Sequence, residues 1–216
     1  MIHGADGPQP LSDSLPLSDG HDSYQGNLII AMPSLSDPSF AHAVIYVCRH
    51  DSEHAMGLIL NQPINGLDFS VMLRELGIPA GITLGNPTLS NQKIYRGGPV
   101  QGDRGFVLHS LDYRLHEATL DLSALAEEGD GVGLTASRDI LVDLSRGEGP
   151  AQTLIVLGYA GWGPGQLEAE MAHNAWIVAP ATHELLFCGD PDHLWSRALA
   201  SLGIEPGHLS GTAGNA

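Results

Sequence analysis

The 216-residue sequence is poor in positive charge. It contains nine Lys and Arg residues against 25 Asp and Glu residues, so the formal net charge is -16 at pH 7. Proteins that bind nucleic acids or anionic membranes use clusters of basic side chains to neutralise phosphate groups. The composition therefore argues against a nucleic-acid-binding or membrane-surface protein.

Cysteine and long apolar runs are also scarce. Cys48 and Cys188 are far apart and form no CxxC pair, so neither a disulfide framework nor a zinc ribbon is expected. No apolar run reaches the length of about eighteen residues that a membrane span requires. The first residues show no signal-peptide pattern, and we expect a cytoplasmic protein without membrane contact.

The distribution of apolar residues divides the chain into three parts. Residues 1–23 are rich in Asp, Ser, Pro and Gly, which predicts a disordered leader. Residues 24–204 carry the apolar periodicity of a folded domain, and no repeat or Pro-rich linker interrupts them. Residues 205–216 are small and polar, which predicts a flexible tail.

The first half of the domain is dominated by strand signals. Residues 27–31 and 43–48 are short, rich in β-branched residues and closed off by turn residues, and residues 56–60 are the expected hairpin partner of the second run. These runs are apolar at successive positions, which indicates strands that are covered on both faces. Further strands are expected around residues 94–96, 105–109, 132–135, 154–158, 176–179 and 184–187.

Three helices are predicted from their ends. Asp68 can cap a helix over residues 69–76, with Gly77 as its stop. Ser137 can cap a second helix, which would end at Gly147. The pair Asp190-Pro191 predicts a third helix, because proline is favoured at the first helical position. Neighbouring strand runs without an intervening helix favour an α+β fold over a doubly wound α/β fold.

The segment from Gly158 to Gly165 is the most suggestive candidate site. It follows a predicted strand and precedes a predicted helix, and glycine-rich turns at helix N-termini can hold a phosphate. However, the spacing fits neither the dinucleotide nor the P-loop motif, and Glu168 places negative charge in the first helical turn. The alternative is a tight turn that seats Tyr159 and Trp162 in the core or at an interface.

A second candidate surrounds Arg96. The run Tyr95-Arg96-Gly97-Gly98-Pro99 places one of the few cations beside a glycine pair that allows an unusual backbone conformation. The arginine could bind a carboxylate of a ligand. The acidic excess favours the alternative, an ion pair with a carboxylate of the protein itself.

Metal and hydrolase motifs are weak. His50 and His54 are spaced HxxxH, but they bridge two predicted strands, so a solvated hairpin turn is expected there rather than a metal site. No HExxH or GxSxG motif occurs. His109 and Ser110 are adjacent on a predicted strand and point to opposite faces, so they cannot pair directly. Both cysteines lie in or beside apolar runs and are assigned no catalytic role, and we expect neither a metal nor a cofactor.

Taken together, the motifs resemble the YqgE/AlgH family of bacterial proteins. The resemblance rests on segments 26–33, 37–40, 44–48, 57–61 with Pro63, 95–100, 108–110, 135–139, and 158–162 with 165–168. It implies an α+β fold in which a mixed, mainly antiparallel β-sheet curls into a barrel-like core with helices packed outside. It offers no established catalytic residues. Its label of transcriptional regulator derives from a link to alginate control.

Two positions depart from the family pattern. Relatives often have a basic residue where this chain has Gln62, and an acidic residue where it has Arg49. If these positions lined a site for a charged ligand, its charge pattern would differ in this chain.

The first functional hypothesis is a cytosolic, non-enzymatic regulatory protein that binds a protein partner or a small molecule. The residues expected to form its site are Asn61, Tyr95, Arg96, Gly97, Gly98, Tyr159 and Trp162. One alternative is a DNA-binding transcriptional regulator, which the net charge opposes. Another is a hydrolase or nucleotide-binding enzyme that uses the Gly158 to Gly165 segment.

Overall fold

The computed structural model describes residues 23–81, 87–122 and 131–209. Within these ranges the chain forms ten strands and six α-helices. The strands are β1 (Asn27–Ala31), β2 (Val44–His50), β3 (Ala55–Ile59), β4 (Pro63–Asp68), β5 (Lys93–Arg96), β6 (Val100–Ser110), β7 (Thr119–Asp121), β8 (Val132–Thr135), β9 (Thr153–Trp162) and β10 (Trp176–Pro180). The helices are α1 (Phe69–Glu75), α2 (Pro87–Ser90), α3 (Asp139–Arg146), α4 (Gln166–Ala172), α5 (His183–Leu186) and α6 (Pro191–Ala200).

All ten strands belong to one curled sheet. The strand order is β10-β1-β2-β3-β9-β6-β8-β7, and β4 and β5 join it at the first half of β9. Only the pairing of β5 with β9 is parallel among the described strands. The expected α+β fold, with a mixed and mainly antiparallel curled sheet and helices outside, is confirmed, and the curl is a half-barrel.

Strand β9 organises the curl because it changes neighbours along its length. Residues 155–157 pair with β5, whereas residues 160–162 pair with β3. The change falls at Gly158, whose φ of 74° lies in the left-handed region that glycine adopts without a steric cost. A bend at this glycine thus joins the two halves of the sheet.

Both faces of the sheet are covered, as the continuous apolar runs predict. Alternate residues of β1 and β2 divide between two hydrophobic clusters: Leu28 and Tyr46 belong to the first, Ile29 and Ile45 to the second. Helices α5 and α6 pack on the first cluster and α4 packs on the second. A third cluster lies between α1, α3 and strands β5, β6 and β9.

The helix ends agree only in part with the predicted caps. The Asp68 carboxylate accepts a hydrogen bond from the Val71 backbone N–H at 2.9 Å, as predicted for α1. Helix α3 begins at Asp139 with Arg138, not Ser137, at its N-cap position. The Ser137 hydroxyl accepts a hydrogen bond from the Asp139 backbone N–H at 3.2 Å and donates to the Asp139 carboxylate at 2.9 Å. Helix α6 begins at Pro191 as predicted, but the Asp190 carboxylate pairs with His193 rather than capping the backbone.

Residues 184–187, predicted as a strand, are helical instead. Helix α5 covers His183–Leu186, and the Thr182 hydroxyl caps it by accepting a hydrogen bond from the Leu185 N–H at 3.3 Å. Leu185 and Leu186 are both buried in the first cluster.

The predicted leader and tail fall mostly outside the described residues, which exclude 1–22 and 210–216. In the described part of the predicted tail, Pro206–His208 forms a 3-10 turn and Leu209 packs against the first cluster. None of the described helices is both long and apolar enough to cross a membrane.

Candidate functional site

Two of the predicted site residues, Tyr95 and Arg96, lie on opposite faces of β5. Tyr95 is buried in the first cluster. Arg96 lies beside Ile64 and Leu157, both of which pack against the third cluster. Successive side chains of a strand point to opposite faces, so these two residues cannot line the same pocket.

Gly97 and Gly98 hold the chain against β9. The Gly97 N–H donates to the Leu157 carbonyl at 2.8 Å, and the Gly97 carbonyl accepts from the Ile59 N–H at 2.8 Å. A Cβ atom on Gly98 would lie 2.1 Å from the backbone carbon of Tyr159. The glycine pair is therefore required by the close approach of two backbones.

A hollow opens beside this glycine pair, with a volume of 370 Å³. We call it the Arg96 notch. It is lined by Ile64, Arg96, Gly98, Pro99, Gly102 and Leu157. These residues supply one cation, apolar side chains and backbone, but no carboxylate.

The ion pair expected for Arg96 is wrong for the part of the chain that the structure describes. There, the arginines that pair with carboxylates are Arg49, Arg114 and Arg197. Arg96 is exposed and has no such partner among residues 23–81, 87–122 and 131–209. Its guanidinium can therefore bind an external anion without first breaking an internal ion pair.

The Asn61 side chain links the end of β3 to the backbone at the start of β2. Its side-chain oxygen accepts a hydrogen bond from the Val44 N–H at 3.0 Å, and its side-chain nitrogen donates to the His42 carbonyl at 2.8 Å. Both ends of the amide are thus used inside the protein. This geometry gives Asn61 a positioning role at the end of β3.

The predicted loop from Gly158 to Gly165 is largely a strand. β9 continues through Gly158 to Trp162, and only residues 163–165 form the turn into α4. The Gly163 N–H donates to the Gln166 side chain at 3.1 Å. The Glu168 carboxylate, in the first turn of α4, lies 2.9 Å from His50 Nε2. These contacts argue against a phosphate site.

Tyr159 and Trp162 are held by the protein itself. The Tyr159 ring packs edge-on against Phe106, with 6.1 Å between ring centroids. Trp162 is 4% exposed, and its indole N–H donates to the Glu170 carboxylate at 3.0 Å. Of the seven predicted site residues, only Arg96 and Gly98 line the notch directly.

The turn expected between His50 and His54 is confirmed, but His50 itself is buried at the end of β2 and is not solvated. Residues 51–54 connect β2 to β3, and one Asp51 carboxylate oxygen accepts hydrogen bonds from the N–H groups of Glu53 and His54, both at 3.0 Å. His50 lies at the end of β2 and contacts Glu168 across the sheet. Within the described ranges, no three His, Cys, Asp or Glu residues are arranged to hold a metal ion.

The two positions that depart from the family pattern make contacts within the protein. Gln62 donates a side-chain hydrogen bond to the Ser39 carbonyl at 2.9 Å. Arg49 pairs with Asp51 at 2.9 Å. Neither residue lines the Arg96 notch.

His109 belongs to a buried hydrogen-bond chain and does not pair with the Ser110 hydroxyl. Its Nδ1 lies 2.9 Å from the Ser110 carbonyl, so Nδ1 carries the proton and Nε2 accepts from the Thr135 hydroxyl at 2.9 Å. Thr119 then donates to Thr135 at 2.8 Å. The Ser110 hydroxyl donates to Asp112 instead. Burial lowers the pKa of His109, which favours the neutral ring in this hydrogen-bond chain.

We expect His109 to make stability depend on pH. Burial lowers its pKa below the usual value, so below about pH 6.5 the unfolded chain binds a proton that the folded protein does not. The stabilisation from neutral His109 is therefore fully present above about pH 6.5. At lower pH the free energy of unfolding decreases by up to about 1.4 kcal/mol per pH unit, until the pH reaches the pKa of His109 in the folded protein. Urea unfolding of the wild type and of His109→Gln, at pH 7.5 and at pH 5.5, measures this pH dependence.

The wild type should lose more stability than His109→Gln when the pH falls. His116, whose side chain is 93% exposed, provides the control: His116→Gln should follow the wild type. Equal pH dependence in His109→Gln and the wild type would contradict the assignment of a buried neutral histidine.

The two cysteines differ in environment, although sequence analysis treated them alike. Cys48 is 2% exposed, and burial raises its pKa. Cys188 is partly exposed in the connection between α5 and α6, and its sulfur accepts a hydrogen bond from Arg197 at 3.1 Å. The Asp190-Pro191 helix start is the sequence signal that places Cys188 in an exposed connection rather than in a strand.

Two solved structures share this curled-sheet architecture. The solution structure of the AlgH protein from Pseudomonas aeruginosa has a TM-score of 0.67 and 37% identity, and the match covers 94% of this chain and all of that one. A crystal structure from Corynebacterium diphtheriae has a TM-score of 0.59 over 85% of this chain and 88% of that one, at 17% identity, and it supports the fold alone. The protein is therefore an α+β protein of the AlgH type.

Sequence comparison identifies the family. The AlgH-like family model matches residues 28–207. A UPF0301 protein of Afipia carboxidovorans is 45% identical over 214 residues, covering 96% of this chain and 99% of that protein. Another from Nitrobacter hamburgensis is 47% identical over 194 residues, covering 88% and 87%. The chain belongs to the AlgH-like family, and the resemblance seen in its motifs is confirmed.

Proposed function

We propose that this chain is a cytosolic regulatory protein that acts by binding, without catalysing a reaction. Its ligand carries a carboxylate group that pairs with Arg96 in the notch. The carboxylate belongs either to a small molecule or to an acidic segment of a protein partner. The observation that carries the proposal is an exposed guanidinium, beside a preformed hollow, that has no carboxylate partner in the described ranges.

The chemistry of the notch suits such a group. A guanidinium presents a planar set of N–H donors that matches both oxygens of a carboxylate. Ile64 and Leu157 provide apolar contacts for the rest of the ligand. The net charge of -16 opposes anions at long range, but charges further away than about 8 Å are largely screened at physiological ionic strength.

The contacts around the candidate catalytic residues support a non-enzymatic role. His109 and Ser110 have separate hydrogen-bond partners, so they do not form a nucleophile and base. Cys48 is buried, and burial raises its pKa, which disfavours a reactive thiolate.

The distribution of basic residues supports binding to a target other than DNA. Three of the nine pair with carboxylates in the described ranges. Arg138 and Arg146 lie at opposite ends of α3, with Asp139 and Asp143 between them. A DNA-reading helix would instead present a continuous basic face.

A thermal-unfolding experiment tests the proposal. The probes are succinate, a short peptide of aspartates, inorganic phosphate and duplex DNA. At ten times its dissociation constant, a carboxylate probe should raise the wild-type Tm by about 3 to 6 °C. Arg96→Ala should abolish this shift, because it removes the guanidinium that binds the carboxylate.

Arg104→Ala is the matched control. Arg104 is a nearby exposed arginine that lies over the Phe106 ring, 5.1 Å from its centroid, and does not line the notch. The Arg104→Ala variant should show the same Tm shift with the carboxylate probe as the wild type. A response to succinate indicates a small-molecule ligand, and a response to the peptide alone indicates a protein partner. The proposal is wrong if Arg96→Ala responds like the wild type, or if only phosphate or DNA shifts the Tm.

A further inference from the structure

A second cavity lies on the opposite face of β5 from the notch. It has a volume of 470 Å³, within the range of about 300 to 1,000 Å³ that is typical of small-molecule sites. Leu60, Tyr95 and Leu154 line it from the sheet, and Leu186 and Leu194 line it from the helical side. We call it the Tyr95 cleft. Its walls are mainly apolar, so it suits a ligand with an apolar body.

The Tyr95 hydroxyl is the polar group that distinguishes this cleft. Tyr95 is only 6% exposed, and its hydroxyl forms no hydrogen bond with any residue in the described parts of the chain. Burial, together with the nearby Cys188 and Asp192, raises its pKa, so the hydroxyl keeps its proton at neutral pH. A buried donor without a partner is unfavourable, and a ligand acceptor would satisfy it.

Three other polar side chains along the cleft already have partners. The Gln92 side chain donates to the Thr153 carbonyl at 3.0 Å. The Gln152 side chain lies 3.0 Å from His183 Nδ1. Cys188 accepts from Arg197 at 3.1 Å, as noted above. Asn91 and Lys93 are exposed to water, so the Tyr95 hydroxyl is the buried polar group in the described lining that lacks a partner.

The charges around the cleft favour an uncharged ligand. Lys93 is exposed at the sheet side, whereas Asp190 lines the side near α6 and Asp192 lies close to Tyr95. Asp190 already pairs with His193 at 2.9 Å. Asp192 opposes an anion near Tyr95, and Lys93 opposes a cation at the sheet side. A neutral molecule avoids the cost of removing a charge from water.

We propose that the Tyr95 cleft binds an uncharged, mainly apolar small molecule whose carbonyl oxygen accepts a hydrogen bond from the Tyr95 hydroxyl. This site is separate from the Arg96 notch, because the two residues face opposite sides of the sheet. Arg96→Ala should leave binding in the cleft unchanged, so either proposal can fail without the other.

Cys188 provides a built-in reporter for the cleft. It lines the cavity and is partly exposed, whereas Cys48, the other cysteine of the chain, is buried. The rate at which iodoacetamide alkylates the native protein therefore reports access to Cys188. Three probes of similar size separate the effects of a carbonyl acceptor, an apolar body and a charge on binding. Acetophenone has a carbonyl, ethylbenzene has none, and benzoate is charged.

The expected result is that acetophenone slows alkylation of the wild type in a saturable manner and that benzoate does not. Tyr95→Phe should weaken acetophenone binding about 3- to 10-fold, the effect of one lost hydrogen bond, and should leave ethylbenzene binding unchanged or stronger. The Tm of Tyr95→Phe without ligand should not be lower than that of the wild type, because the substitution removes no hydrogen bond within the described protein.

Two further variants control for folding and location. Tyr46→Phe makes the same chemical change at another buried tyrosine that does not line the cleft, and should bind acetophenone like the wild type. Ala151→Trp adds a large side chain at an exposed lining position and should abolish protection. The proposal is overturned if no probe protects Cys188, or if Tyr95→Phe and the wild type bind acetophenone equally.

Discussion

Replacing Gly98 by alanine should destabilise the protein by at least about 3 kcal/mol, the upper end of the usual range for overpacking. The new Cβ would lie 2.1 Å from the Tyr159 backbone carbon and 2.2 Å from the Ala160 backbone nitrogen. Neither atom can move aside as a flexible side chain can, so the glycine pair and β9 must separate. Urea unfolding, followed by circular dichroism, measures the loss.

Gly102→Ala is the control for Gly98→Ala. Gly102 also lines the Arg96 notch, but a Cβ there would meet no atom within 4 Å. The free energy of unfolding of Gly102→Ala should therefore stay within about 0.5 kcal/mol of the wild-type value. If Gly98→Ala were as stable as Gly102→Ala, the backbone of the glycine pair would not approach β9 as closely as described.

Replacing Glu170 by alanine should lower the free energy of unfolding by about 2 to 6 kcal/mol. One of its carboxylate oxygens accepts hydrogen bonds from the indole N–H groups of Trp162 at 3.0 Å and Trp176 at 2.8 Å. Both tryptophans are buried, and each donor left without a partner costs about 1 to 3 kcal/mol. Tryptophan fluorescence during urea unfolding reports both the stability and the indole environment.

Glu170→Gln separates this explanation from a simple loss of packing. Glutamine keeps one acceptor oxygen in nearly the same place, so it should recover most of the stability and stay within about 1 kcal/mol of the wild type. If alanine and glutamine had equal effects, the shared carboxylate oxygen would not be what holds the two tryptophans in place.

The sequence predicts most of the sheet because its strands are buried on both faces. Continuous apolar runs at residues 27–31 and 43–48 admit few other structures once turn residues bound them. The prediction of a strand at residues 184–187 is wrong because so short an apolar run does not distinguish one helical turn from a strand. The segment after Gly158 misleads because a glycine that bends a strand resembles the start of a loop.

The candidate site is predicted less well because it depends on contacts between distant segments. The sequence identifies the glycine pair, but it cannot show that Tyr95 and Arg96 face different cavities until the strand is placed between its neighbours. The acidic excess predicts an ion pair for Arg96, yet the segments folded around it carry no carboxylate at the notch. Likewise, only the packing of α5 and α6 brings Cys188 near Tyr95.

The most direct test of the proposed function follows the Arg96 guanidinium itself. Its Nε–H NMR signal, assigned by its loss in Arg96→Ala, is observed while succinate or the aspartate peptide is added at constant ionic strength. We predict a saturable shift of this signal by at least one of the two ligands, with no comparable change at Arg104. A signal that stays unchanged, or that drifts linearly together with that of Arg104, would contradict carboxylate binding at the notch.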